Sequence, residues 1–153
     1  MLKDTSALLS DSATKTVIRK SEIFKGLEHE TLAKVLGTGA KRTFSQGDNL
    51  TIEGTEGECF YVVESGTVDV IVKSGEQANV VSHLGPGAVV GEVSLLCNRP
   101  RTATVTVTSE QLCAFEFDKA AFEQITATLP EIHDRLSKIA VPRIQRTMRQ
   151  LYS

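Results

Sequence analysis

Two residues of opposite charge, Glu92 and Arg101, lie nine positions apart in the segment GEVSLLCNRPRTATV, which spans residues 91–105. An arginine guanidinium offers parallel N–H donors that match the oxygens of a phosphate, and a carboxylate accepts hydrogen bonds from hydroxyl groups. The pair therefore predicts a binding site for a ligand with one charged phosphate and a free hydroxyl. The alternative is an ion pair between the two side chains across a surface turn.

The start of this segment predicts a tight turn that brings the backbone close to a ligand. Gly91 allows such a turn, because it has no side chain and accepts backbone angles that other residues avoid. The following residues, EVSLL, are long enough for about one helical turn. Since the first amides of a helical turn have no partner within it, we expect them to contribute to an anion site together with Arg101.

Hydrophobic periodicity predicts the elements that hold the segment. Apolar residues recur at helical spacing from 16 to 36, interrupted at Gly26 and ended at Gly37 or Gly39. From 40 to 117, short β-branched runs alternate with turn signals about every 8 to 14 residues, which is typical of an antiparallel barrel or jelly roll. Within this region the run FYVV (60–63) is apolar at every position, which favours a strand in the sandwich core.

Two further features of the chain give specific expectations. Gly66 follows Glu64-Ser65, where a β-hairpin would need a positive φ. After residue 117 the helical period returns, with Asp118 as a predicted N-cap of the segment KAAFEQITATL.

A second closing helix is predicted to begin at Pro130, which suits a first helical turn. We expect Pro142 to kink or break it, because proline lacks a backbone donor. Three apolar residues form one stripe of this helix, namely Ile132, Leu136 and Ile139. Three arginines beyond the proline are interpreted as a solvated face, namely Arg143, Arg146 and Arg149.

The predicted fold class is α+β and mainly β: an antiparallel, jelly-roll-like β-roll with N-terminal and C-terminal helices. Its predicted organisation is a flexible tail (1–15), a helical lead (16–37), the β-roll that carries the phosphate site (38–117) and the closing helices (118–153). A chain of 153 residues suits one such domain.

Composition argues against several classes of function. Seventeen basic residues nearly balance nineteen acidic ones, which gives no case for binding nucleic acid or an anionic membrane. No apolar run approaches the roughly 20 residues of a membrane span, and the first residues lack a signal peptide pattern, so we expect a cytoplasmic protein. The three cysteines are scattered without CxxC spacing, and a β-roll metalloenzyme would need clustered histidines, whereas His83 stands alone. We therefore expect no metal, no cofactor and no catalytic residue.

The segment resembles the phosphate-binding cassette of cyclic nucleotide-binding domains. Those domains occur in regulatory subunits of cyclic-nucleotide-dependent kinases, in gated channels and in catabolite-activator-like regulators. The matching positions are Gly91-Glu92, Leu95-Leu96, Pro100-Arg101 and Ala103-Thr104-Val105. The likeness extends over roughly residues 16–153, including the FYVVESG segment and the flanking helices.

The resemblance implies a role for each cassette residue and a ligand, cAMP or cGMP. Glu92 would bind the ribose 2′-hydroxyl and Arg101 the cyclic phosphate. Backbone amides would complete the phosphate cradle, those around Gly91, Val93 and Ser94 and those of Thr102 and Ala103. The helix from Pro130 would be a mobile lid that brings Ile132, Leu136 or Ile139 over the base.

The residue after the cassette arginine bears on the choice of base. The Thr102 hydroxyl can reach the 2-amino group of a guanine in the syn form, and cAMP has no such group. One hydrogen bond contributes only about 0.5–1.5 kcal/mol, so we expect both nucleotides to bind, with cAMP favoured on family frequency alone.

The sequence thus predicts an allosteric sensor rather than an enzyme, which signals to an effector protein or domain through its C-terminal helices. Three alternatives remain open. The fold could take a different phosphate- or purine-bearing ligand. The chain could be a fragment of a larger channel, kinase-regulatory or transcription-regulator protein. It could also serve a DNA-binding regulator, but a helix-turn-helix would have to follow the lid, and only about a dozen residues follow Pro142. We therefore expect no nucleic acid contact and no membrane segment in this chain.

Overall fold

The computed structural model describes residues 18 and 21–152, except for the side chains of 147 and 150–152. Its helices are α1 (His29–Gly37), α2 (Glu92–Cys97), α3 (Lys119–Thr128) and α4 (Pro130–Tyr152). Its strands are β1 (Ala40–Ser45), β2 (Asn49–Thr51), β3 (Cys59–Ser65), β4 (Val68–Ser74), β5 (Gln77–Leu84), β6 (Val89–Val90), β7 (Thr104–Val107) and β8 (Gln111–Asp118).

The strands form two antiparallel sheets of four strands each. The first has the order β1-β8-β3-β6 and the second the order β2-β7-β4-β5. The predicted mainly-β class with an antiparallel roll and flanking helices is confirmed. The predicted tail, 1–15, lies outside the described residues.

The first sheet is covered on both faces, which explains the uninterrupted apolar run in β3. Phe60 and Val62 belong to a core cluster that includes residues of α1, α3 and α4. Tyr61 and Val63 point the other way, into a second cluster shared with the strands of the other sheet. Because successive side chains of a strand alternate between its faces, a strand buried on both sides needs apolar residues at every position.

The turn at Gly66 differs from the prediction. Its φ is 98°, as expected, and an added Cβ would lie 2.7 Å from the carbonyl oxygen of Gln111. However, β3 and β4 belong to different sheets, so this turn is a crossing between sheets and the predicted hairpin is wrong. A hairpin joins β4 to β5 instead, where Ser74 pairs with Gln77.

The helix ends follow their predicted capping residues. The Asp118 carboxylate accepts a hydrogen bond from the Ala121 amide at 2.8 Å, which caps α3 as expected. Helix α1 ends at Gly37, one of the two glycines proposed for that position, and α4 begins at Pro130.

Helix α4 does not end at Pro142, so the expected break is wrong, whereas the alternative of a kink there stays a prediction. A proline within a helix leaves the carbonyl four residues earlier without its usual partner. Here both Pro142 and Lys138 are exposed, so water can bond that carbonyl and the helix continues. None of the described helices is both long enough and apolar enough to cross a bilayer.

Tyr61 gives a pH-dependent test of the packing between the sheets. The side chain is 6% exposed and its ring meets Phe44 edge-on, with centroids 5.9 Å apart. Burial raises the pKa of Tyr61 above its ordinary value of 10.0, with the neighbouring Cys59 thiol as a second cause. Above about pH 10 the unfolded chain therefore loses this proton first, and stability falls by at most about 1.4 kcal/mol per pH unit.

We expect Tyr61→Phe to remove this decline. The measurement is urea unfolding of both proteins at several pH values from 8 to 11.5. The two proteins differ only at this residue, so the difference between their stabilities at each pH isolates the tyrosine. Parallel stability profiles would contradict this account.

Candidate functional site

The turn before α2 requires glycine for two reasons. Gly91 precedes the helix with φ 87° and ψ 6°, a left-handed conformation that disfavours side chains. An added Cβ would also lie only 2.6 Å from Nη1 of Arg101. The backbone at Gly91 and the cassette arginine are therefore packed directly against each other.

The Arg101 side chain is almost fully buried, at 7% exposure. Its Nη1 donates to the Gly91 carbonyl at 2.9 Å, and its Nη2 donates weakly to Sγ of Cys59 at 3.6 Å. Among the described residues no carboxylate forms an ion pair with it. A buried guanidinium with only neutral partners favours an anionic ligand, because burying a charge without a counter-charge is costly.

The backbone of Arg101 is also held in place. Its amide donates to the Thr55 carbonyl at 2.7 Å, and its carbonyl accepts from the Gly54 amide at 2.9 Å. These two bonds join the cassette to the loop before β3. The arginine therefore extends inwards from a braced backbone, although a proline and small residues surround it in the sequence.

Glu92 is completely buried and has one free oxygen. Its Oε1 accepts a hydrogen bond from Nη1 of Arg143. Its Oε2 has no hydrogen-bond partner among the described residues. Since a buried acceptor without a partner is destabilising, this oxygen is suited to a hydroxyl of a ligand. The alternative ion pair between Glu92 and Arg101 is not formed.

The interpretation of the α4 arginines as a solvated face is wrong for Arg143 and Arg146. Nη1 of Arg143 also donates to the Val89 carbonyl at 2.6 Å, and its side chain is 26% exposed. Arg146 is half-buried, with Nη1 3.4 Å from the Val81 carbonyl oxygen. Arg149 is exposed, as expected. The i, i+3 spacing of 143 and 146 places both on one side of the helix.

All seven cassette residues predicted to bind the ligand line one cavity: Gly91, Glu92, Val93, Ser94, Arg101, Thr102 and Ala103. Its volume is about 570 Å³ when the open mouth is counted. The structure thus brings these residues together in a narrow cleft. Their roles in binding stay predictions.

The predicted lid residues do not line this cavity. Ile132 and Leu136 are fully buried in the core beside α1 and α3, and Ile139 packs against the same cluster. In this structure they attach α4 to the body of the domain. Their proposed position over a base is not part of this arrangement.

Sequence reasoning missed the apolar wall of the cavity. The second sheet contributes this wall to the cavity, through Val70 and Val72 of β4 and Val81 and Leu84 of β5. The short β-branched runs predicted strands in this region but not which space the inner face of each strand borders. Among the described residues, no group of three potential metal-binding side chains exists, and Cys59, Cys97 and Cys113 are free thiols.

A family model described as the cyclic nucleotide-binding domain matches residues 41–128, which include the cassette and most of both sheets. This chain belongs to the cyclic nucleotide-binding domain family. Over 116 residues it is 36% identical to the cAMP-dependent protein kinase regulatory subunit of Yarrowia lipolytica, covering 75% of this chain and 29% of that protein. The chain spans 26% to 32% of the length of the curated relatives compared.

Solved structures of the family share the architecture. The regulatory domain of Toxoplasma gondii PKA, crystallised with cAMP, superposes with a TM-score of 0.70 at 31% identity, over 80% of this chain and 46% of that one. The catabolite activator protein of Thermus thermophilus gives a TM-score of 0.74 at 26% identity, over 82% and 59% of the two chains.

Gly57 in this cyclic nucleotide-binding domain leaves room for the cassette arginine. An added Cβ would lie 2.5 Å from Cβ of Ser94 and 2.8 Å from Cζ of Arg101. We expect Gly57→Ala to destabilise the domain by about 1–3 kcal/mol, as overpacking of a close contact does. Gly85→Ala is the control, because its added Cβ meets nothing within 4 Å. Urea unfolding measures both variants, and equal stability of the two would contradict the close contact.

Proposed function

We propose that this chain is a non-catalytic regulatory module that binds cAMP, cGMP or both in the cavity beside α2. Arg101 pairs with the cyclic phosphate and Glu92 accepts the ribose 2′-hydroxyl. Backbone amides complete the phosphate cradle, those around Gly91, Val93 and Ser94 and those of Thr102 and Ala103. The kinase regulatory subunits and the cAMP-bound regulatory domain among its relatives support this reading.

The observation that carries the proposal is a buried cation without a counter-charge and a buried acceptor without a donor, both lining one cleft. Arg101 is a buried cation without an ion-pair partner among the described residues, and Oε2 of Glu92 is a buried acceptor without a donor. A cyclic nucleotide offers one negative phosphate and one free ribose hydroxyl. Each of its groups therefore satisfies one group of the cleft.

The same geometry suggests how binding reaches α4. The first half of this helix is anchored: Ile132 and Leu136 are buried, and Nη1 of Arg135 donates to the carbonyls of Ile23 and Lys25 at 2.9 and 2.7 Å. The second half contacts the cassette directly through Arg143 and Glu92. A ligand hydroxyl that donates to Oε2 of Glu92 binds the same carboxylate to which Arg143 donates at Oε1. The ligand and the helix are therefore linked through one side chain.

We therefore place the responsive part of the helix after Ala140, which is 2% exposed and ends the buried stripe. Val141 and Met148, 51% and 44% exposed, lie in this part and offer apolar contacts to an effector protein or domain. A ligand shifts the position of the segment only if its binding energy differs between the two positions. Because Arg143 and the ligand both bind the Glu92 carboxylate, the binding energy of the ligand depends on where α4 holds Arg143.

Removing the cassette arginine tests the phosphate contact. We expect Arg101→Ala to weaken cAMP binding by roughly 30- to 4,000-fold, because a buried charge pair of this kind contributes about 2–5 kcal/mol. Glu92→Gln should lose less, since its amide oxygen still accepts a hydroxyl. Arg99→Ala is the matched control, because Arg99 is an exposed cation two positions away.

Calorimetric titration with cAMP, cGMP and the parent nucleosides measures these affinities. Binding of cAMP to Arg101→Ala within about threefold of the original protein would overturn the phosphate contact. Tighter binding of a nucleoside than of either cyclic nucleotide would favour the alternative ligand class.

Hydrogen exchange tests the role of α4. We expect cAMP to increase protection of the amides in 141–152 more than of those in 131–140, because the first half is already anchored. Arg143→Ala should reduce this ligand-dependent difference, whereas Arg149→Ala, an exposed arginine of the same helix, should leave it unchanged. Equal protection of 141–152 with and without cAMP would overturn the proposed response of α4 and leave the proposed binding site intact.

A further inference from the structure

Strand β5 and helix α4 both line the cavity, β5 with Val81, Ser82 and Leu84 and α4 with Arg143 and Arg146. In the second sheet β7 follows the cassette arginine, and β5 lies two strands away, beyond β4. Neighbouring strands are about 4.8 Å apart, so β5 lies roughly 10 Å from β7. A nucleotide with its phosphate at Arg101 can therefore extend its base towards β5, and the part of the cavity lined by Val81 and Ser82 is called its β5 end.

Arg146 supplies the hydrogen-bond donors at this end. It lines the cavity, is half-buried, and its Nη1 lies 3.4 Å from the Val81 carbonyl oxygen, beyond the usual length of a strong hydrogen bond. Among the described residues it has no ion-pair partner. Of the β4 and β5 residues that line the cavity, Ser82 is polar and the others are apolar. The guanidinium is thus available to a base.

A guanidinium distinguishes purines by the atoms at their positions 6 and 7. Guanine and hypoxanthine present two adjacent acceptors there, O6 and N7, which match two N–H donors of arginine. Adenine presents N7 beside the N6 amino group, which is itself a donor and opposes a guanidinium N–H. For the same reason arginine recognises guanine in protein–DNA complexes, whereas glutamine and asparagine recognise adenine.

We propose that Arg146 is a specificity-determining residue that makes this site prefer cyclic nucleotides of 6-oxopurines over cAMP. The inference rests on the proposed function and deepens it by naming the class of base. A bidentate contact of this kind corresponds to roughly 5- to 150-fold discrimination. The expectation from family frequency pointed to cAMP, whereas the donors of this particular cavity point to the 6-oxopurines.

Calorimetric titration with cAMP, cGMP and cyclic IMP separates this effect from that of Thr102. Cyclic IMP keeps O6 and N7 but lacks the 2-amino group. We expect cGMP and cyclic IMP each to bind at least about fivefold more tightly than cAMP. Thr102→Ala should weaken only cGMP, by several-fold, because its hydroxyl can meet only the 2-amino group.

Two substitutions of Arg146 test the contact itself. Arg146→Leu should abolish the preference, and Arg146→Gln should shift it towards cAMP, because an amide pairs with N6 and N7 of adenine. Arg149→Leu on the exposed face is the control and should keep the original preference. Urea unfolding of each variant ensures that all are folded when titrated.

The outcomes separate this inference from the proposed function. Binding of cAMP within about twofold of cyclic IMP, or an equal loss of all three ligands in Arg146→Leu, would overturn the role of Arg146 and leave the cyclic nucleotide site intact. Absence of binding by all three nucleotides would overturn the proposed function and this inference with it.

Discussion

The burial of one permanent positive charge organises this domain. The guanidinium of Arg101 is 7% exposed, and an arginine cannot escape burial by losing its proton. It is held by a carbonyl and a thiol rather than by a carboxylate. Its close neighbours therefore include two glycines, Gly57 and Gly91, whose missing side chains leave room for it. An ion pair on the surface would require neither the two glycines nor the neutral partners that hold Arg101.

The two-layer core keeps that arrangement rigid. The first sheet lies between the helices and the second sheet, so β3 is packed from both sides, with the rings of Phe60 and Phe117 stacked at 5.0 Å on the helical face. The loop before β3 carries Gly57 and the carbonyl that holds the Arg101 amide. Movement of the strand would therefore disturb the arginine. Helix α4 borders the same cavity through Arg143 and Arg146.

Local features were predictable from the sequence, whereas relative orientations were not. The strand rhythm, the Asp118 cap, the positive φ at Gly66 and the grouping of the cassette residues depend on neighbours in the chain and were anticipated. The sheet to which β4 belongs depends on partners far along the chain, and no turn signal at Gly66 encodes it.

The α4 arginines show the same limit. Helical spacing places Arg143 and Arg146 on one side of the helix but cannot state whether that side faces water or the cavity. That choice follows from the rotation set by Ile132 and Leu136 in the core. For Pro142, the surroundings of the helix decided the outcome, because an exposed carbonyl tolerates the loss of its donor.

The carbonyls that receive the two α4 arginines belong to the outermost strands of the two sheets. Val89 lies in β6, at the margin of the first sheet, and Val81 lies in β5, at the margin of the second. Unpaired backbone groups on such edge strands can template pairing with another chain, and proteins commonly shield them. Helix α4 therefore contacts one backbone carbonyl on each of these two strands, through Arg143 and Arg146. Any motion that lifted its second half would break both hydrogen bonds and expose these carbonyls, so such a motion would carry a cost at the margins of the two sheets.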